Sequence, residues 1–471
     1  MPALAVMEFM KLFQNNPAFY KGVFSLALPI ALQSLIGIGV NMLDTIMVGR
    51  LGEAALSATS LANSFISIYH IFCMGLGMGA SVLVSRYWGM KKAASGHEEK
   101  ASHALKQTVC LMLRITLGLA AIFALLTFFM PDTLMKMYTS EKEIIKLGDI
   151  YFRWSVVTYF FLGTSLVSTI VLRSVGQVKL PLYVSIGAFF VNLGANYTFI
   201  FGKFGAPRME VAGAALGTLI ARLFEAAMIL GYLFYKDKNI RFRFKDLFMK
   251  TGTLIGEYIK ISIPVLISDA ILAIGNNSVA MVIGHLGAAF VAANAITSVT
   301  QQLSTVVIQG VSQAGAIVTG QTLGIGDKNK TMQQGWMFFG LGLALGIISA
   351  IFIMCASHPI ISSYKVAKET ENIAEQLMLA ISLIIIFQAT NSIMTKGVLR
   401  GGGDTKILML ADNLFLWVLA IPLGILAGFV FHWPAFWIYV GLKSDQIVKT
   451  FWCLIRLKSE KWIKKISTGK N

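Results

Sequence analysis

Runs of roughly 20 or more mostly apolar residues recur along the whole chain, each long enough to cross a hydrocarbon core. Twelve are read, near 22–47, 54–85, 104–130, 146–172, 180–202, 211–235, 258–284, 289–322, 333–356, 375–398, 407–431 and 433–456. Within a bilayer each must be helical, because an unpaired backbone N–H or C=O there costs several kcal/mol. The pattern predicts an all-α integral membrane protein with twelve transmembrane helices. Two polar breaks stand out, the basic segment Lys236–Lys250 and the turn Gly202–Glu210, which contains Gly205 and Pro207.

The pattern occurs twice. A shift of 235 residues lays Pro29 on Pro264, Asn41 on Asn276, Gly49 on Gly284 and Leu51-Gly52 on Leu286-Gly287, then Gly75 on Gly310 and Gly89 on Gly324. After an eight-residue slip, Val171-Leu172-Arg173, Gly176 and Lys179 meet Val398-Leu399-Arg400, Gly403 and Lys406. The expected domains are an N-terminal six-helix lobe at 1–235, a basic cytoplasmic linker at 236–253, and a C-terminal six-helix lobe with a basic tail at 254–471. Six is even, so both lobes insert in the same orientation, related by a pseudo-two-fold axis along the membrane normal. A duplicated bundle of this kind frames secondary transporters, in which two halves rock around a central substrate.

Composition agrees with the membrane reading: 56% hydrophobic and only 13% charged residues, with a mean hydropathy of +0.70. Soluble domains carry about 25% charged residues. The net charge of +17 would suit a nucleic-acid partner, but its distribution excludes one. With the N-terminus inside, even-numbered loops and both tails hold roughly 25 Lys and Arg against about 8 in the odd-numbered loops, the positive-inside bias. Both termini are therefore expected in the cytoplasm, with the protein in the cell membrane. No removable signal peptide is read in the first residues. Cys73, Cys110, Cys355 and Cys453 are scattered singly and read as inert buried thiols. The sequence contains no G-x-x-x-x-G-K-[ST] phosphate loop, no His/Glu metal pair and no activated nucleophile, so neither an enzyme nor a cofactor is expected.

Ionisable residues inside spans are the first candidates for function, since a charge near the bilayer centre persists only for a reason. Asp44 leads, with Asn41 one turn before it and Gln33, Gly37, Asn41 and Thr45 forming an i, i+4 row alongside. Helix 5 adds Asn192 and Asn196, again one turn apart, and helix 6 adds Thr218. Carboxylate, amide and hydroxyl oxygens of this kind suit a hard cation such as Na⁺, placed near Asp44, Asn192 and Thr218. Amide donors in the same place equally stabilise a carboxylate in alternate protonation states. In the second half, Asp269 is not the repeat mate of Asp44, whose register partner is Val279. Asn276, Asn277, Gln388 and Asn391 are expected around Asp269. Asn294, Ser298, Gln301, Thr305, Gln309 and Ser312 line one face of helix 8, read as cavity lining. Arg222 and Glu225 are spaced to pair with each other, and His70 reads as a packed histidine.

These residues resemble the multidrug and toxic compound extrusion (MATE) transporters over essentially the whole chain. The resemblance rests on A-L-P-I-A-L-Q with V-N-M-L-D-T-I-M-V-G-R-L-G at 27–52, V-L-R-S-V-G-Q at 171–177, N-x-x-x-N at 192–196, V-A-G-A-A-L-G-T-L-I-A-R at 211–222 and V-L-R-G-G-G-D-T-K at 398–406. It implies two six-helix lobes in a V that export organic cations in exchange for H⁺ or Na⁺. The family's helix 1 aspartate maps onto Asp44, its helix 5 asparagine onto Asn192 and its helix 6 threonine onto Thr218. The next helix 5 position, Asp in some members that bind Na⁺ there, is Asn196 in this chain. Many members carry Glu at the position of Asp269. The expected partners are small organic cations, a coupling ion and the lipid bilayer, with the chain acting as a monomer. The alternative is a flippase for a lipid-linked precursor, which would need a strongly cationic cavity. A major-facilitator exporter would carry a basic G-x-x-x-D-R-x-G-R loop after helix 2, where Ser85-Arg86-Tyr87-Trp88-Gly89-Met90-Lys91-Lys92 stands instead.

Overall fold

The computed structural model describes residues 16–93, 98–252, 254–364 and 366–464. The end of the expected basic tail, 465–471, lies outside the described residues. The apolar runs form helices throughout: α1 Pro17–Gly49, α2 Glu53–Lys92, α3 Glu98–Phe129, then α4 as Lys142–Ser155 with Thr158–Ser174, α5 Lys179–Phe201 and α6 Glu210–Lys236. The second set is α7 Leu254–His285, α8 Ala288–Ile325, α9 Lys328–Ser363, α10 Lys368–Leu399 and α11 Thr405–Val430, followed by α12 as Ala435–Leu442 with Ser444–Lys458. Among the described residues, ten helices are long and apolar enough to cross a membrane alone, and α4 makes an eleventh as a pair bent by 59°. The last expected span, near 433–456, is two short helices broken at Lys443.

The bend in α4 falls between Ser155 and Thr158. Ser155 Oγ donates back to the Tyr151 carbonyl at 2.8 Å, a bond that competes with the helix ladder, and two β-branched residues, Val156 and Val157, follow at once. Pro422 in α11 leaves a carbonyl without its N–H partner. The helix there widens into π-turns on either side, at Phe415–Ala420 and Leu426–Val430. Pro29 and Pro264, by contrast, sit inside continuous helices.

The sequence repeat reappears as backbone geometry. Gly52 and Gly287, repeat mates, start α2 and α8 at φ 114° and 108°. Gly176 and Gly403, mates after the slip, hold φ 85° and 87°. A side chain would be strained at all four, so the turns themselves are duplicated.

Two compact units are present, and they do not part at the linker where the repeat parts. Of the described residues, one comprises those within 32–266, the other those within 16–31 and 267–464. The divisions fall inside α1 and α7, two residues beyond Pro29 and Pro264. Within the first unit, α2 closes on the opening half of α7: a Cβ on Gly75 would lie 2.9 Å from Leu266 Cα, and one on Gly79 would lie 2.7 Å from Ser262 Cα. Within the second, α8 closes likewise on the opening half of α1, where a Cβ on Gly310 would lie 2.4 Å from the Ala27 carbonyl oxygen. The Gly75-Leu76-Gly77-Met78-Gly79 run is thus a backbone-to-backbone seam. Tyr258 adds a bond from its hydroxyl to the Leu76 carbonyl at 2.9 Å.

The linker is fastened to the first unit. Lys106 of α3 pairs with Asp246 at 2.9 Å, and Arg114 and Gln107 donate to the Leu247 and Lys250 carbonyls at 2.7 and 2.8 Å. Outward faces of the helices are apolar, with Ile348, Ile351 and Phe352 of α9 all exposed, as expected where lipid is the solvent. Cys73, Cys110 and Cys453 are buried. Cys355 departs from the expectation and is exposed on α9, because an apolar side chain facing lipid has no need of protein cover.

Candidate functional site

In the unit 32–266, the backbone of α5 places Asn192 and Asn196 on one face, and both are almost fully buried. Asn196 Nδ2 donates to Asp44 Oδ1 at 2.6 Å and lies 3.3 Å from Asn192 Oδ1. The other atom of that amide, Asn196 Oδ1, is buried with no hydrogen-bond partner. It fits because α6 has a glycine opposite: a Cβ on Gly217 would stand 2.0 Å from it. Thr218, the next residue, is half-buried and faces the Tyr151 hydroxyl. Tyr151 Oη in turn donates to Asn63 Oδ1 at 3.3 Å.

Arg222, one turn on from Thr218, pairs with Glu225 at 2.7 Å, as its spacing predicts. Arg222 also lies within electrostatic reach of Asp44 and His70. His70 is exposed rather than packed. Asn41 is exposed too, and its carbonyl accepts from Thr45 Oγ1 at 2.8 Å. At the other end of the α1 row, Gln33 is tied by Ser185 Oγ at 2.7 Å and by the Arg173 guanidinium. Glu225 is shared electrostatically by Arg222 and Arg173, and Asp44 is the acid of the cluster that is hydrogen-bonded by an amide and not by a guanidinium.

Sequence reasoning singled out Asp44, Asn192, Asn196 and Thr218, and these come together. It passed over Tyr151 and Asn63. Asn63, Ser67 and His70 do sit at i, i+4, i+7 on α2, a stripe that marks a polar face. Nothing local marks Tyr151, which arrives through the packing of α4.

The second unit distributes its predicted residues differently. Asp269 is held by Arg400 of the V-L-R-G-G-G-D-T-K stretch at 3.3 Å, and not by the expected amides. Gln388 accepts from Gln301 Nε2 at 3.0 Å, and Gln301 Oε1 accepts from Tyr439 at 3.2 Å. Asn391 donates to Gln446 at 2.7 Å. Asn276 and Asn277 are exposed. The α8 stripe, expected to line a cavity, ties helices together at Gln301 and at Ser312, whose Oγ donates to the Ser392 carbonyl at 2.8 Å. Long amide side chains satisfy one another first because an unpaired buried amide is costly. Lys449 and Asp445 went unread: Lys449 of α12 stands between Asp412 and Asp445, at 3.3 and 3.1 Å, with all three buried.

The sequence profile of the MatE family matches residues 29–198 and 264–426. The chain is 26% identical over 458 residues to a probable multidrug resistance protein NorM of Thermotoga maritima, covering 96% of this chain and 95% of that one. It is 28% identical over 434 residues to the multidrug resistance protein NorM of Burkholderia vietnamiensis, covering 89% and 88%. Its fold matches an outward-facing multidrug resistance MATE family transporter of the MOP superfamily, with a TM-score of 0.81 at 17% identity over 94% of this chain and 96% of that one. It also matches the Vibrio cholerae MATE transporter VcmN in the bent form, with a TM-score of 0.83 at 18% identity over 94% and 98%. Both matches run nearly end to end, so the fold is the twelve-helix MATE fold and the chain is a multi-pass membrane protein. A duplicated helical bundle, matching profiles in both halves and a carboxylate–amide cluster in the first make this chain a member of the MatE family, a transporter and not an enzyme.

Proposed function

We propose that the protein is a multidrug efflux antiporter of the cell membrane, with both termini cytoplasmic. In this reading it acts as a monomer and exports small organic cations in exchange for H⁺ by alternating access. The observation that carries the reading is the Asp44 carboxylate, hydrogen-bonded by a neutral amide rather than by a basic residue. Such a group attracts a cargo cation and a proton alike, and its single negative charge serves only one at a time. The relatives named as multidrug resistance proteins favour drug-like cargo.

The Asn196 amide supplies a device for coupling. Facing a charged Asp44 it offers its N–H₂, while its Oδ1 has no partner. A protonated Asp44 carries an O–H donor, which the same amide accepts after a half-turn. The amide therefore reports the proton to α5 and α6, and the two protonation states prefer different packing. Coupling requires that difference, since a proton bound equally well in both states would shift nothing. An N–H₂ group facing the carboxylate also repels a metal cation, which favours H⁺ over Na⁺. Asn41, Asn192 and Thr218 complete the polar lining.

The test is ethidium uptake into inverted vesicles under an imposed pH gradient and, separately, a Na⁺ gradient, with Asp44→Asn alongside. Uptake driven by the pH gradient and lost in Asp44→Asn is expected. Wild-type uptake by Asp44→Asn would remove Asp44 from the coupling. No uptake under either gradient would favour the flippase reading.

A further inference from the structure

We propose that Lys449 is a built-in counter-ion, its ammonium holding in α12 the place that a small monovalent cation would otherwise take. This rests on the reading of Asp44 as the coupling carboxylate and adds a reason why coupling stays in the first unit. Acids on the two sides are satisfied differently. Asp44 meets a neutral amide, whereas Asp269 meets Arg400 and the pair Asp412–Asp445 meets Lys449.

The geometry around Lys449 is that of a cation site. Its Nζ lies 3.3 Å from Asp412 Oδ1 and 3.1 Å from Asp445 Oδ2, and the three side chains are 3%, 6% and 3% exposed. Asp445 Oδ2 also accepts from Gln446 Nε2 at 2.6 Å, and Gln446 Oε1 accepts from Asn391 at 2.7 Å. Two buried oxygens at the edge of this chain of contacts, Asp445 Oδ1 and Asn391 Oδ1, have no hydrogen-bond partner. Oxygens from carboxylates and amides at this density are the donor set of a hard monovalent cation. The lysine ammonium, a compact point charge on a flexible stem, substitutes for one. Lys443, at the α12 break, and Cys453 are the other titratable groups within reach of these residues. Lys449 is seven residues before Arg456, which pairs with Asp404 at 2.6 Å, placing the group about 10 Å inward from that end.

The experiment is thermal melting of the purified full chain in an Asp44→Asn background, in NaCl, ethylammonium chloride and choline chloride at equal ionic strength. The Asp44→Asn protein is expected to melt at one temperature in all three. Adding Lys449→Ala should lower the melting temperature, with a saturable recovery in Na⁺ or ethylammonium but not in choline. A further Asp445→Asn should remove that recovery. A folded Lys449→Ala protein indifferent to all three salts would overturn the proposal. So would a Na⁺-specific rise, with Lys449 present, that Asp445→Asn abolishes. If Lys449→Ala does not accumulate, the neutral triple variant Asp412→Asn/Asp445→Asn/Lys449→Met is expected to do so, and its failure would count against a counter-ion role. Asp44 is absent from every sample, so the outcome is independent of whether H⁺ couples there.

Discussion

Gly217→Ala is a change of one methyl group that should uncouple transport without touching a charge. The new Cβ would stand 2.0 Å from Asn196 Oδ1, 3.0 Å from its Cγ and 3.1 Å from its backbone nitrogen. Ordinary contact between such atoms lies near 3.5 Å, so the amide must retreat by about 1 Å or more. It has little room, because Asn196 is 1% exposed. Overpacking of this kind costs about 1–3 kcal/mol. Loss of the hydrogen bond to Asp44, which involves a charged group, is worth about 1.5–3 kcal/mol more. If that bond distinguishes the two protonation states, its loss lowers pH-driven transport by roughly ten- to a hundredfold, at 1.4 kcal/mol per factor of ten. The assay is initial ethidium uptake into inverted vesicles as a function of imposed pH gradient, normalised to folded protein. Wild-type uptake by a folded Gly217→Ala protein would refute the role given to Asn196. Asn196→Ala in the Gly217→Ala background should show no further loss, since the contact is already gone.

Three further outcomes follow from the packing and the charges. Gly79→Ala places a Cβ 2.7 Å from the Ser262 backbone and should destabilise the protein by about 1–3 kcal/mol, read as a lower melting temperature, with Gly118→Ala, whose Cβ meets nothing, as the neutral control. Burial disfavours the charge on Asp246, but the Lys106 hydrogen bond and the Arg243 backbone N–H outweigh it and hold its carboxyl below the usual range. Its folded pKa is thus depressed, so its stabilisation is full above the ordinary carboxylate range and fades as pH falls through the folded value. Asp246→Asn should therefore lower stability at pH 7 by about 0.2–1 kcal/mol and lose that effect in acid, checked by melting at both pH values. Arg400→Met strands the Asp269 carboxylate at a cost of about 1–3 kcal/mol, and Asp269→Asn in the same chain should restore the melting temperature. Equal melting of single and double variants would mean that an unpaired Asp269 carboxylate costs nothing there.

Most of the helices were legible because a bilayer offers an apolar run one solution. The weak places were those where tertiary contacts take over. The α4 bend falls at Val156–Val157, where neither glycine nor proline marks it, and the break in α12 at Lys443 accompanies a buried ion group that no local pattern announces. Within the first unit, residues on α1, α5 and α6 were legible as polar positions in apolar spans. Tyr151 was not, since its hydroxyl becomes relevant only where α4 meets Asn63 and Thr218. Asp269 was legible as an intramembrane acid but not in its partner, because Arg400 lies 131 residues away in the chain.

By itself the sequence determined the helices, their duplication and the turns between them. Gly52 with Gly287, and Gly176 with Gly403, keep the same left-handed backbone in each repeat because no other residue takes it without strain. Tertiary structure decided which half-helix belongs to which compact unit. The repeat ends at the linker, but the units divide inside α1 and α7, where glycines on α8 and α2 admit the opening half of each helix against bare backbone. It also decided how each acid is satisfied, since a carboxylate takes the partner that packing brings within about 3 Å. For Asp44 that partner is an amide able to serve either protonation state, and for Asp269, Asp412 and Asp445 it is a fixed positive charge.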